Sequence, residues 1–188
     1  VNAYGSAKGK PHVVFTEKGN SYIAQYFAAE QTIKVDEKLF DICMGMGKDS
    51  LNALSIVLSH ELAHYYNNHN WCTDFAFAIR NTDLGKKIKS EVPKSRLEHE
   101  TSADYYGLYN AAIAGYKPLG IDSVLLEKIY FAYHLPSFVK GYPSKADRIH
   151  ICNEAQKEIG KLYAEFLEGD SALIHKDYEK AIRCFEEL

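Results

Sequence analysis

An α+β fold, with a small N-terminal sheet and a mainly helical body, is what this sequence predicts on three observations. The first forty residues alternate short β-branched or aromatic runs with polar turns. From Leu39 onward, apolar residues recur at helical spacing. The 188 residues are 46% apolar and 25% charged, enough hydrophobic material for one domain with its own core.

The expected strands are Pro11–Phe15, Tyr22–Phe27 and Thr32–Val35, parted by Gly19-Asn20 and by Glu30-Gln31. Asp49 or Ser50 can cap a first long helix that runs to about Asn68. A second apolar-periodic stretch spans Thr73 to Ile88. Pro93 suits the first turn of a third helix, because its missing N–H has no partner there anyway; that helix continues through Glu100 and Asp104 to Ala114-Gly115. A fourth covers Ile121 to His134. Ser144, with Asp147 three residues later, marks the start of a fifth that runs through Arg148 toward Phe166, and a last helix covers Tyr178 to Leu188.

Bulk properties exclude several classes. A net charge of -3 gives no reason to expect nucleic acid as a partner. No run approaches the roughly 20 apolar residues that span a bilayer. The sequence opens on Val1 without a leader-like apolar run, which carries little weight for compartment. Cys43, Cys72, Cys152 and Cys184 include no Cys-x-x-Cys pair, which argues against a zinc knuckle or a redox motif; buried thiols are favoured over disulfides.

The chemistry concentrates in His60-Glu61-Leu62-Ala63-His64, inside an apolar helix. Residues four apart on a helix lie one turn apart on the same face, so His60 and His64 can reach one metal ion. Glu61 is offset by one position and cannot easily join them as a ligand, but it can approach the attacking water and take its proton. A catalytic zinc ion needs three protein ligands and an open position. A third His in the extended form HExxHxxGxxH is one option, but Asn67 stands where that form needs a turning Gly, Asn70 where it needs His, and His69 is one position short.

The other option is a Glu on a downstream helix. Glu100 and Asp104 are four apart, so Glu100 could bind zinc while Asp104 accepts a hydrogen bond from the outer nitrogen of a ligand His. Glu98 and His99 are rivals without a carboxylate one turn further on, and an ordinary charged helix face is the alternative explanation. The remaining histidines, His12, His69, His99, His134, His150 and His175, have no partner at ligand spacing and read as surface or packed residues; contact with the cleft is the less favoured alternative for His69.

With HExxH, Glu100-Thr-Ser-Ala-Asp104-x-x-Gly107 and Ala114-Gly-Tyr-Lys-Pro118 together, the chain resembles the gluzincin peptidases of family M48. Val1-Asn2-Ala3-Tyr4 is similar to that family's opening Val-Asn-Ala-Phe strand, and the similarity covers roughly residues 1 to 155. The resemblance implies a zincin-like fold, one Zn2+ per chain on His60, His64 and Glu100, and endopeptidase activity on peptides or unfolded and misfolded proteins. In its His-Pro-x-x-x-x-Arg segment this chain has Tyr142 in place of His, then Pro143 and Arg148. A Tyr hydroxyl can donate to a developing oxyanion, or Tyr142 can simply be packed. Arg148 could donate to the oxyanion or pair with a carboxylate. Substrates of such enzymes often add as a strand to a sheet edge, for which Thr32–Val35 is the nearest candidate.

The resemblance points toward the cell envelope and admits membrane association through a segment outside this sequence. Residues 156–188 leave the peptidase pattern. Gly169, Ala181 and Phe185 resemble the spacing of a tetratricopeptide repeat, so the C-terminal helices either pack on the domain or begin an array that offers a protein-binding face. Two further readings stand beside the peptidase: a non-catalytic or latent zinc-binding module that acts through protein interactions, and a zinc hydrolase acting on something other than peptides.

Overall fold

The computed structural model describes residues 9–19, 22–69, 83–138 and 142–187, with side chains from residue 96 onward in the helix that begins at Asp83. Among these residues the first elements are three strands, β1 (His12–Thr16), β2 (Ala24–Phe27) and β3 (Thr32–Asp36). Among the described residues six α-helices follow: α1 (Glu37–Met44), α2 (Ser50–Tyr66), α3 (Asp83–Ile113), α4 (Asp122–Ala132), α5 (Lys145–Ile174) and α6 (Tyr178–Glu186). The architecture is thus mixed, mostly helical with a small three-stranded sheet, consistent with the α+β expectation.

The sheet order is β1-β3-β2, with β3 parallel to β1 and antiparallel to β2. This corrects the expected docking edge. Thr32–Val35 lies in the central strand, its backbone groups paired on both sides, and has no edge to offer; β2 is the strand that borders the rest of the fold. Burial agrees with this order: Ile33 and Val35 are completely buried while Val13, Val14 and Phe15 of β1 are exposed, so the most deeply buried of the three runs takes the centre.

Asp36 ends β3 and begins α1. Its buried carboxylate accepts from the N–H of Lys38 (2.7 Å), the N–H of Gly19 (3.1 Å) and the hydroxyl of Tyr133 (3.1 Å). A buried charge is tolerated only when it is satisfied in this way, and here it ties the sheet, α1 and the end of α4 together. The first core joins Ile33, Val35, Leu39, Cys43, Val57 and Leu125, which places the sheet against α1, α2 and α4. A second joins Leu108, Ala112, Cys152, Ala155 and Ile159 between α3 and α5.

Several boundaries differ from expectation. The third helix does not start at Pro93: α3 runs unbroken from Asp83 through Pro93, so the end of the Thr73–Ile88 stretch belongs to it and the beginning lies outside the described residues. A proline interior to a helix removes one backbone hydrogen bond, a local loss that tertiary packing of the long helix outweighs. At α2, Asp49 holds the cap position but makes no side-chain cap bond, and a 3-10 turn over Gly47–Asp49 leads into the helix instead.

At α5 the expected cap is present: Ser144 accepts from the N–H of Asp147 while the Asp147 carboxylate accepts from the N–H of Ser144, both at 3.1 Å. That helix continues past Phe166 to Ile174, so the boundary expected near residue 155 falls inside a single helix. Cys43, Cys152 and Cys184 are free and buried, while Cys72 and Val1–Tyr4 lie outside the described residues. Among the described residues no helix is long and apolar enough to cross a membrane.

Candidate metal centre

Helix α2 is apolar around most of its circumference and packs between the sheet and α3. Gly107 of α3 lies directly on the α2 backbone, and Ala103 and Ala111, one turn to either side of it, are fully or almost fully buried. A Cβ at Gly107 would stand 2.9 Å from the nitrogen and 3.0 Å from the Cα of His60. Only glycine admits this approach, and it is the approach that brings Glu100 and Asp104, on the same face of α3, up to His60.

The Nε2 atoms of His60 and His64 lie 3.1 Å apart. Two nitrogens on one tetrahedral zinc ion, each at 2.0–2.1 Å, would be about 3.3 Å apart, so the rings are already convergent. Glu100 offers Oε2 at 3.6 Å from His60 Nε2 and Oε1 at 3.7 Å from His64 Nε2. One ligand atom from each of the three residues lies within 4.8 Å of the others, and two imidazoles with one carboxylate are a donor set suited to zinc.

Asp104 accepts from His60 at its Nδ1, 2.9 Å away, which turns Nε2 of that ring toward Glu100 and His64. Arg148, from the first turn of α5, then holds Asp104 with two bonds, Nε to Oδ2 at 2.9 Å and Nη2 to Oδ1 at 2.5 Å. Of the two roles open to Arg148, the geometry provides carboxylate pairing. Tyr142 is about two-fifths exposed, lines the cleft, and has the Arg96 guanidinium 5.1 Å from its ring centre.

The electrostatics follow from this crowding. Burial disfavours a charged His60, but hydrogen bonds to Asp104 and Glu100 outweigh it and push its pKa up to about 10. Burial, reinforced by the cationic His60, lowers His64 to about 3. Burial would raise Asp104, yet Arg148 and His60 hold its carboxyl well below the usual range. Glu100 is likewise held low against the pull of burial, by His60 first. Glu61 goes the other way, raised chiefly by burial.

Glu61 is buried beside this cluster, where its Oε2 accepts from the backbone N–H of Tyr26 in β2 at 2.8 Å. All these groups line one cleft of about 480 Å³, walled by β2, α2, α3 and α4, within the size range of ligand sites. Of the rival ligands, Glu98 is exposed, and His99 turns to stack on His69.

Two of the six histidines set aside are not bland. His12, His134, His150 and His175 are exposed, as expected. His69, however, is buried, with its Nδ1 3.1 Å from Nδ1 of His64 and its ring parallel to that of His99. The chain does turn after α2 without Gly at position 67, because Asn68 adopts the left-handed conformation (φ 55) one residue later. Asn tolerates that region better than other residues with a side chain, so the Asn67-Asn68 pair after a helix was a readable signal for the turn.

No family model matches this chain, and neither does any curated protein or solved structure.

Proposed function

We propose that this chain is a zinc-dependent endopeptidase of the M48 gluzincin type, its peptidase domain within residues 1–155. The observation that carries the reading is the placement of Glu61, a buried carboxylate beside the His60, His64 and Glu100 cluster and bonded to an edge strand. A purely structural metal site has no use for a carboxylate there. His60, His64 and Glu100 would hold the ion, leaving a position for water. Zinc held there would supply Lewis-acid polarisation of the scissile carbonyl and acidification of the attacking water.

Glu61 takes the water's proton and passes it to the leaving amine; the burial that raises its pKa makes it a stronger base than an exposed Glu. Tyr142, at the cleft wall, is the candidate donor to the developing oxyanion. Arg148 and Asp104 keep His60 oriented. Substrate, an extended segment of an unfolded or misfolded protein, adds along β2 rather than along Thr32–Val35. A cell-envelope setting accompanies this reading.

The test is Glu61→Gln, with bound zinc and cleavage of an unfolded protein followed in parallel. Zinc content should be unchanged and cleavage should fall by about 10²-fold or more. Zinc-loaded wild type as inert as Glu61→Gln on a broad peptide library would sink the peptidase reading.

One observation favours a second reading, a zinc-binding interaction module. The α5–α6 hairpin presents Ile174, Tyr178 and Ile182, each more than half exposed, as an apolar face suited to a protein partner. Under that reading Glu61→Gln changes nothing measurable, while polar substitution of Ile182 abolishes partner binding.

A further inference from the structure

We propose that His69 is a positioning residue that sets the tautomer and ring orientation of His64; this rests on the metal-centre reading above and adds to it the partner of the second imidazole. A metal-binding His needs its outer nitrogen occupied, so that the ring cannot rotate and the free lone pair stays aimed at the ion. For His60 that partner is Asp104. For His64 the atom in place is Nδ1 of His69, at 3.1 Å.

The chemistry of two facing ring nitrogens is restrictive. One must carry the hydrogen and the other must accept it. With Nε2 of His64 facing Glu100 and His60, the hydrogen of His64 sits on Nδ1 and is donated. His69 must then accept through Nδ1 and carry its own hydrogen on Nε2.

The fold delivers His69 to this place by a specific device. At the end of α2 the N–H of His69 donates to the carbonyl of His64 (3.1 Å) and the N–H of Asn68 to that of Tyr65 (3.4 Å). With Asn68 left-handed between them, this is the Schellman pattern of helix termination. That pattern brings the second residue past the helix back against the last turn, commonly through an apolar contact. Here the contact is imidazole to imidazole.

His99 fixes the plane of the incoming ring. The two rings are parallel within 2°, with centres 4.4 Å apart. Because His99 immediately precedes Glu100 on α3, the turn that presents the carboxylate ligand also backs the partner of His64. A neutral acceptor suits a site that already holds Glu61, Glu100 and Asp104, since a further carboxylate would add like-charge repulsion.

The experiment compares wild type with His69→Phe, which keeps a ring on His99 but has no acceptor, and His69→Asn, whose Oδ1 stands near the position of Nδ1. Zinc affinity is measured by chelator competition, and the site is viewed by the visible spectrum of the cobalt-substituted protein. His69→Phe should bind zinc about 10- to 100-fold more weakly with an altered cobalt spectrum, and His69→Asn should recover most of both. Wild-type affinity and spectrum in His69→Phe would overturn the assignment.

Should His69→Phe fail to fold, long-range ¹H–¹⁵N spectra of zinc-loaded wild type decide: His64 protonated on Nδ1 with His69 protonated on Nε2 supports it, and a His69 hydrogen on Nδ1 defeats it. A wild type that takes up no zinc removes the metal centre itself, and this assignment with it. Metal retained equally in all variants removes this assignment alone.

Discussion

His60 carries the sharpest residue-scale consequence. With its pKa pushed to about 10 by Asp104 and Glu100, the metal-free ring is cationic at neutral pH and holds a hydrogen on the nitrogen a metal would use. Zinc and proton therefore compete. Zinc binding at pH 7 should release about one proton, and affinity should rise with pH up to the region of that pKa. Calorimetric titration in two buffers of different ionisation enthalpy reads this directly; a binding heat independent of buffer would contradict it.

His60, Asp104 and His64 shape the pH dependence of metal-free stability. Asp104 has a folded pKa below its ordinary 3.8, so its contribution is present above that value and lost as acid protonates it. His60 has a folded pKa above its ordinary 6.5, so its contribution is present below that value and lost as pH rises toward about 10. His64, lowered from 6.5 to about 3, works the other way: below pH 6.5 only the unfolded chain takes up its proton, so the groups together predict a maximum in urea-unfolding free energy near pH 6.5. Arg148→Ala strips a buried carboxylate of its two-pronged partner. It should cost about 3–5 kcal/mol at that maximum by urea unfolding, and Arg148→Lys should recover only part.

Helix packing governs the element scale, and Gly107 is its control point. Gly107→Ala would force a Cβ against the His60 backbone, with no flexible side chain able to yield. A loss of about 1–3 kcal/mol is expected, together with weaker zinc binding as Glu100 and Asp104 move off His60. Gly160→Ala in α5 is the matched control. Nothing lies within 4 Å of its added Cβ, and removing a helical glycine should stabilise by about 0.5–1 kcal/mol. Equal thermal melts for the two variants would refute this account of the α2–α3 contact.

Over the whole molecule, α5 links what the sequence suggested were two parts. Its first half supplies Cys152, Ala155 and Ile159 to the core shared with α3, and its second half packs Gly169 and Ala172 against α6. A chain cut after residue 155 loses the fully buried Ile159 from that core, about 2–5 kcal/mol on its own by the cost of deleting such a side chain. Its circular-dichroism melt should broaden or move to markedly lower temperature than that of the full 188 residues. An unchanged melt would make residues 1–155 a self-sufficient domain.

What the sequence alone determined is whatever depends on neighbours a few residues away. Helical period put His60 and His64 on one face and Glu100 with Asp104 on another, the Ser144–Asp147 box started α5, and β-branched runs marked three strands. Those features rest on backbone geometry within one or two turns, which local residue types encode. Tertiary structure decided that β3 is central and β2 the edge, that α3 continues through Pro93, that Arg148 is held by Asp104, and that His69 returns to His64. Each depends on which surfaces the folded chain buries against each other, and sequence spacing carries no record of that. The left-handed turn at Asn68 shows the boundary between the two: a local residue choice permits it, and only burial between α2 and α3 makes it part of the site.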